Sequence, residues 1–88
     1  MATIKLVSPN PAAAYWRAAI GSVKGLPGEP LNAEITLKVL TANYYNIYAE
    51  ELDKEGEVIG SFGPYEEYLL VSGEYQIDGQ TKEFSKVS

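Results

Sequence analysis

The chain reads as a mainly β protein: a small antiparallel β-sandwich of six to seven strands, with one short helix near residues 11–20. Three observations predict this class. Apolar residues alternate with period two along most of the chain. Its 8 glycines and 5 prolines act as turn signals, spaced about every eight to twelve residues, as in sandwiches and barrels. The stretches between them leave no room for helical crossovers, so antiparallel neighbours should dominate. The 88 residues make one domain, 1–88, a size that buries about 60% of its unfolded surface without covalent staples.

The first strand is expected over residues 3–7. Next comes "SPNPAAAYWRAAIG", which carries helix signals: Asn10 as an N-cap, Pro11 at the first helical position, three alanines and a closing Gly21. Ala12, Tyr15, Trp16, Ala19 and Ile20 would then share one stripe. Read as a strand, Trp16, Ala18 and Ile20 alternate with Arg17, Ala19 and Gly21, and Trp16 is buried against the sheet in either case. Pro27 and Pro30 in "VKGLPGEPLN" cannot donate to a ladder, so this stretch is an exposed connection.

"PLNAEITLKVLT" is the clearest strand, with Leu31, Ala33, Ile35, Leu37 and Val39 on one face and Asn32, Glu34, Thr36 and Lys38 on the other. "ANYYNIYAEEL" continues the pattern, placing Tyr45, Ile47 and Ala49 opposite Tyr44, Tyr48 and Leu52. Gly56 supplies a hairpin turn, and a return strand over 58–62 ends at Gly63-Pro64. Residues 68–71, 74–77 and 81–87 form three further strands, the last two joined across Asp78-Gly79.

Composition narrows the chemistry. The chain has neither cysteine nor histidine, so it lacks disulfides, the usual zinc ligands and the Ser-His and Cys-His nucleophile pairs. The expectation is no enzyme, no cofactor, no metal site and no catalytic residue. Glu66, Glu67, Glu74 and Glu83 are carboxylates of the type used in glycoside hydrolysis, but adjacent Glu66 and Glu67 on a strand point to opposite faces. The start "MATIKLVSPN" lacks the apolar core of a signal peptide, and no apolar run reaches the length of a membrane span. A soluble protein is expected, cytoplasmic in its producing cell or carried in a virion, with no membrane partner.

The net charge is -5 and unevenly spread. Residues 1–49 hold four bases and two acids, and residues 50–88 hold three bases and ten acids. No basic stripe is available for phosphates, so nucleic acid is excluded as a partner. Two groups are candidate partner-binding residues. Tyr44 and Tyr48 share a strand face, which Tyr65 or Tyr68 would extend, and exposed tyrosine buries much area at low entropic cost while keeping a hydroxyl for hydrogen bonding. Glu50, Glu51, Asp53, Glu55 and Glu57 form an acid-rich hairpin suited to a basic surface. The same hairpin is too short, with its glycine too early, for a calcium loop of the EF-hand type.

"LPGEPLNAEITLKV", "YNIYAEELDKEGEVIGSF" and "SGEYQIDG" resemble, in succession, the strand, hairpin and closing-strand order of immunoglobulin-like or fibronectin-like sandwiches. The Cys-Trp-Cys core of antibody domains is missing, so the resemblance implies an architecture and no activity. The expected function is a non-enzymatic protein-protein interaction or structural module, such as a small assembly or accessory protein of a phage or virion, with a protein partner or self-association. The alternatives are an acidic inhibitor that docks on a basic site, whose affinity would fall with salt, and a carbohydrate-binding module that stacks its tyrosines on sugar rings.

Overall fold

A computed structural model describes residues 1–88 and contains no helix. The strands are β1 (Ala2–Val7), β2 (Tyr15–Ile20), β3 (Glu29–Pro30), β4 (Ile35–Leu37), β5 (Asn43–Leu52), β6 (Val58–Leu69), β7 (Glu74–Asp78) and β8 (Phe84–Lys86). They form two four-stranded sheets, ordered β4-β1-β7-β8 and β3-β2-β5-β6. Their inner faces share one core, as in a small β-sandwich: Ile4, Leu37, Tyr75 and Ile77 from the first sheet and Trp16, Ile47, Phe62 and Leu69 from the second. Antiparallel pairing dominates, with one exception. β1 and β7 run parallel, Thr3 beside Glu74 and Val7 beside Asp78.

The helix expected near 11–20 is absent, and the reason is local. Asn10 does begin a turn: its Oδ1 accepts the Ala12 amide at 2.9 Å and its carbonyl accepts the Ala13 amide at 2.9 Å. The Ala14 amide then donates to the Leu52 carbonyl at 2.8 Å, and Tyr15–Ile20 joins the second sheet as β2 beside β5. So short a segment cannot hold a helix against a ladder that bonds every second residue. Trp16 is fully buried, and its Nε1 donates to the Ala33 carbonyl at 3.2 Å.

Between residues 31 and 39 the expected alternation holds in burial but not in ladder length. Leu37 and Val39 are buried, Leu31, Ala33 and Ile35 half-buried, and the intervening polar residues exposed. Only Ile35–Leu37 pairs with β1. The expected breaks at Gly63-Pro64 and before residue 68 are also corrected, because β6 runs unbroken through twelve residues. Ile47 opposes Tyr65 and Ala49 opposes Phe62, so Tyr48 alone faces both Gly63 and Pro64, a β-bulge that absorbs the glycine and proline. Gly63 has φ +92°, and a Cβ there would collide with the Ile47 carbonyl. The β7–β8 connection is a loop rather than a two-residue turn, with Asp78 Oδ1 accepting the amides of Gln80 and Thr81.

Candidate functional site

β5 and β6 make a long antiparallel ribbon along the molecule, whose longest dimension is 36 Å. β2 flanks only one end of it, from Ile47 to Leu52. At the other end residues 43–46 and 65–69 continue as two strands alone. Their inner side chains close the core: Leu69 is fully buried, Tyr65 and Tyr45 pack against the cluster, and the Tyr45 hydroxyl donates to the Thr41 carbonyl at 2.7 Å. Their outer side chains are uncovered.

On that outer face Tyr44 is 65% exposed and Tyr68 51%, among the most exposed aromatic residues of the chain. The two are directly opposed across the strands, and their rings meet edge to face with centroids 5.1 Å apart and planes at 73°. The Tyr44 amide donates to Asn43 Oδ1 at 2.7 Å and so points away from β6. Tyr44 and Tyr68 therefore form a non-hydrogen-bonded pair, the kind that brings side chains closest. Asn46 opposes Glu66 on the same face, both exposed. Tyr48 lies further along it, half-buried and paired with Ala19 of β2. Beside this end Met1, Leu37, Val39, Leu40 and Val71, with Thr36 and Lys38, line a mostly apolar cavity of about 520 Å³.

The structure divides the acidic hairpin. Glu50 is held by Arg17, whose Nε donates to Oε1 at 2.9 Å and whose guanidinium also reaches the Leu26 carbonyl at 2.7 Å. Asp53 Oδ1 accepts the amides of Glu55 and Glu57, both at 2.9 Å, and so shapes the turn. Glu51 is only 2% exposed and points inward, its Oε2 accepting the Asn10 amide at 2.8 Å. Only Glu55 and Glu57 project freely. The inward position of Glu51 was legible, since it continues the period-two series Tyr45, Ile47, Ala49.

Near Glu51 the loop before β2 and the turn after β7 meet around a polar cavity of about 460 Å³ lined by Ser8, Pro9, Asn10, Pro11, Gly79 and Gln80. Glu51 itself stands behind it, its Oε2 close to Gly79. A row of aromatic rings closes the interior along β8: Tyr65 and Phe84 are 5.5 Å apart, and Phe84 and Tyr75 5.6 Å. Burial pushes the Tyr65 phenol above its ordinary pKa. Its hydroxyl donates to the Lys82 carbonyl at 2.6 Å. No group of three or more carboxylates assembles in a metal-binding arrangement, and no helix is long and apolar enough to cross a membrane.

Fold and site together describe an all-β chain of two packed sheets with an exposed tyrosine pair at one end of its longest ribbon. Comparison with protein-family models, curated protein sequences and solved structures finds no match for this chain.

Proposed function

We propose that this chain is a non-enzymatic protein-contact module that works through the outer face of the β5–β6 ribbon. The observation that carries the reading is the exposed Tyr44–Tyr68 pair, fixed edge to face on a rigid ladder where β2 no longer flanks the ribbon. Rings that already pack on one another lose less rotamer freedom on binding, and tyrosine is enriched among the residues that carry interface energy. Tyr48 extends the same face, and the neighbouring apolar cavity offers further area. An assembly or accessory role, as in a virion, is the setting that fits such a module. The resemblance to immunoglobulin-like or fibronectin-like sandwiches is proposed at the level of two packed sheets. The strand order and the parallel β1–β7 pair differ from the four-plus-three arrangement of constant-type immunoglobulin domains.

The test replaces Tyr44 and Tyr68 together with alanine and follows self-association by light scattering and partner capture by co-precipitation from the producing cells. Association is expected to be lost while the melting temperature moves by no more than about 4 °C, and to persist in the Glu55→Lys/Glu57→Lys variant. Association that survives the tyrosine substitutions and fails in the charge variant would overturn the proposal.

A further inference from the structure

The register of the ribbon shows which main-chain groups of β6 are free. Gly21 donates its amide to the Asn46 carbonyl at 2.9 Å, so the even-numbered residues of β5 direct their backbone groups toward β2 and the odd-numbered ones toward β6. Tyr65, Glu67 and Leu69, opposite Ile47, Tyr45 and Asn43, therefore bond to β5. Glu66 and Tyr68 turn their amide and carbonyl groups to the outer edge, where no strand follows in the sheet. The opposite arm of β6 agrees with this parity. Past the bulge the outward carbonyl is that of Ser61, and there Lys82 Nζ covers it at 3.3 Å. Lys82 and the Tyr65 hydroxyl bond close the edge below residue 66, leaving it open only at its tyrosine end.

We propose that this open edge takes up an extended segment of a partner protein as an added strand, and that the segment carries an apolar residue followed by two basic ones. The proposal rests on the contact reading above and names the kind of partner. A strand laid antiparallel to β6 gains four main-chain hydrogen bonds from Glu66 and Tyr68, and alternate side chains decide its identity. On the outer face its residues would stand abreast of Tyr68 and Glu66, and between them, on the inner face, abreast of Glu67. An apolar side chain packs against the Tyr68–Tyr44 pair, and a base satisfies each glutamate as a cross-strand partner. A second copy of this chain does not fit. In the two-fold register that uses the free groups of Glu66 and Tyr68 on both copies, Glu66 of each copy stands opposite Tyr68 of the other and Glu67 opposes Glu67, and every lysine and arginine in the sequence is isolated from the next. Glu67 thus disfavours that self-pairing, and the two glutamates together select a basic strand.

The test titrates the labelled protein with a short synthetic peptide that has the core Val-Lys-Lys between threonines, followed by amide NMR and hydrogen exchange. Saturable binding is expected, with shifts at residues 65–69 and slowed exchange of the Glu66 and Tyr68 amides. Affinity should fall about tenfold for a Val-Glu-Glu peptide, or for the Glu66→Lys/Glu67→Lys variant once its melting temperature shows that it is folded, since each cross-strand pair passes from attraction to repulsion. Methylating the peptide nitrogens that face β6 should abolish binding. Absence of saturable binding, binding that survives methylation, or a dimer joined across this edge would each overturn the proposal. If the peptide fails while native association still depends on Tyr44 and Tyr68, strand addition is wrong and the contact face stands.

Discussion

Glu51 is a polar side chain enclosed by the fold, and its neighbours explain how it is accommodated. Its Oε2 takes the Asn10 amide, and Gly60 opposite it has no side chain, since a Cβ there would lie 2.7 Å from Oε1. The carboxylate thereby ties the loop before β2 to the ribbon. Gly60→Ala should destabilise the fold by about 1–3 kcal/mol through overpacking. The same substitution should cost little in a Glu51→Ala background, where the nearest contact is gone. Urea unfolding of the two single variants and the double variant measures that coupling, and additive effects would count against the slot. Tyr65 gives a pH signature. Its phenol holds its proton more tightly folded than unfolded, where its pKa is about 10. As pH rises above about 10 the unfolded chain loses that proton first, so stability present below this range declines through it. Melting curves from pH 8 to 11 should show a shallower alkaline loss in Tyr65→Phe than in the parent chain.

At the level of elements, the segment from Ser8 to Gly21 shows what local sequence can and cannot decide. Asn10 supports a single turn and no helix, because the Ala14 amide is taken by Leu52, a residue 38 positions away. Ala14→Pro removes that bond and should cost about 1–3 kcal/mol, measured as a lower urea midpoint. Period-two patterning foretold the inward faces of residues 31–39 and of β5, because side-chain direction in extended chain is a local property. It could not foretell that β6 runs on through Gly63-Pro64, since a bulge is defined by the partner strand. Gly63→Ala should destabilise by about 2 kcal/mol or more, given its positive φ and the Ile47 carbonyl beside it. Which of Tyr65 and Tyr68 stands beside Tyr44 is decided by the partner strand in the same way. Register depends on two bulges and appears only when both strands are in place.

Across the whole molecule the ribbon separates two different ends. One holds the hairpin turn, where Asp53 serves the backbone and Glu55 and Glu57 face solvent. The other holds the tyrosine pair, the open edge of β6 and the apolar cavity. The acid-rich composition of residues 50–88 pointed to the first end. The structure uses Glu50 and Glu51 internally and leaves the second end uncovered. Charge counts are additive along a chain, but availability depends on which side chains the sheets enclose, so the parity of β5 separates exposed Tyr44 from enclosed Glu51 while the acid count does not. Amide chemical-shift mapping of the isotopically labelled protein, bound to the partner that co-precipitates with it, tests the contact face most directly. Shifts are expected to concentrate at residues 43–48 and 65–69, whereas shifts centred on residues 53–57 with the tyrosine end unchanged would contradict the tyrosine contact face.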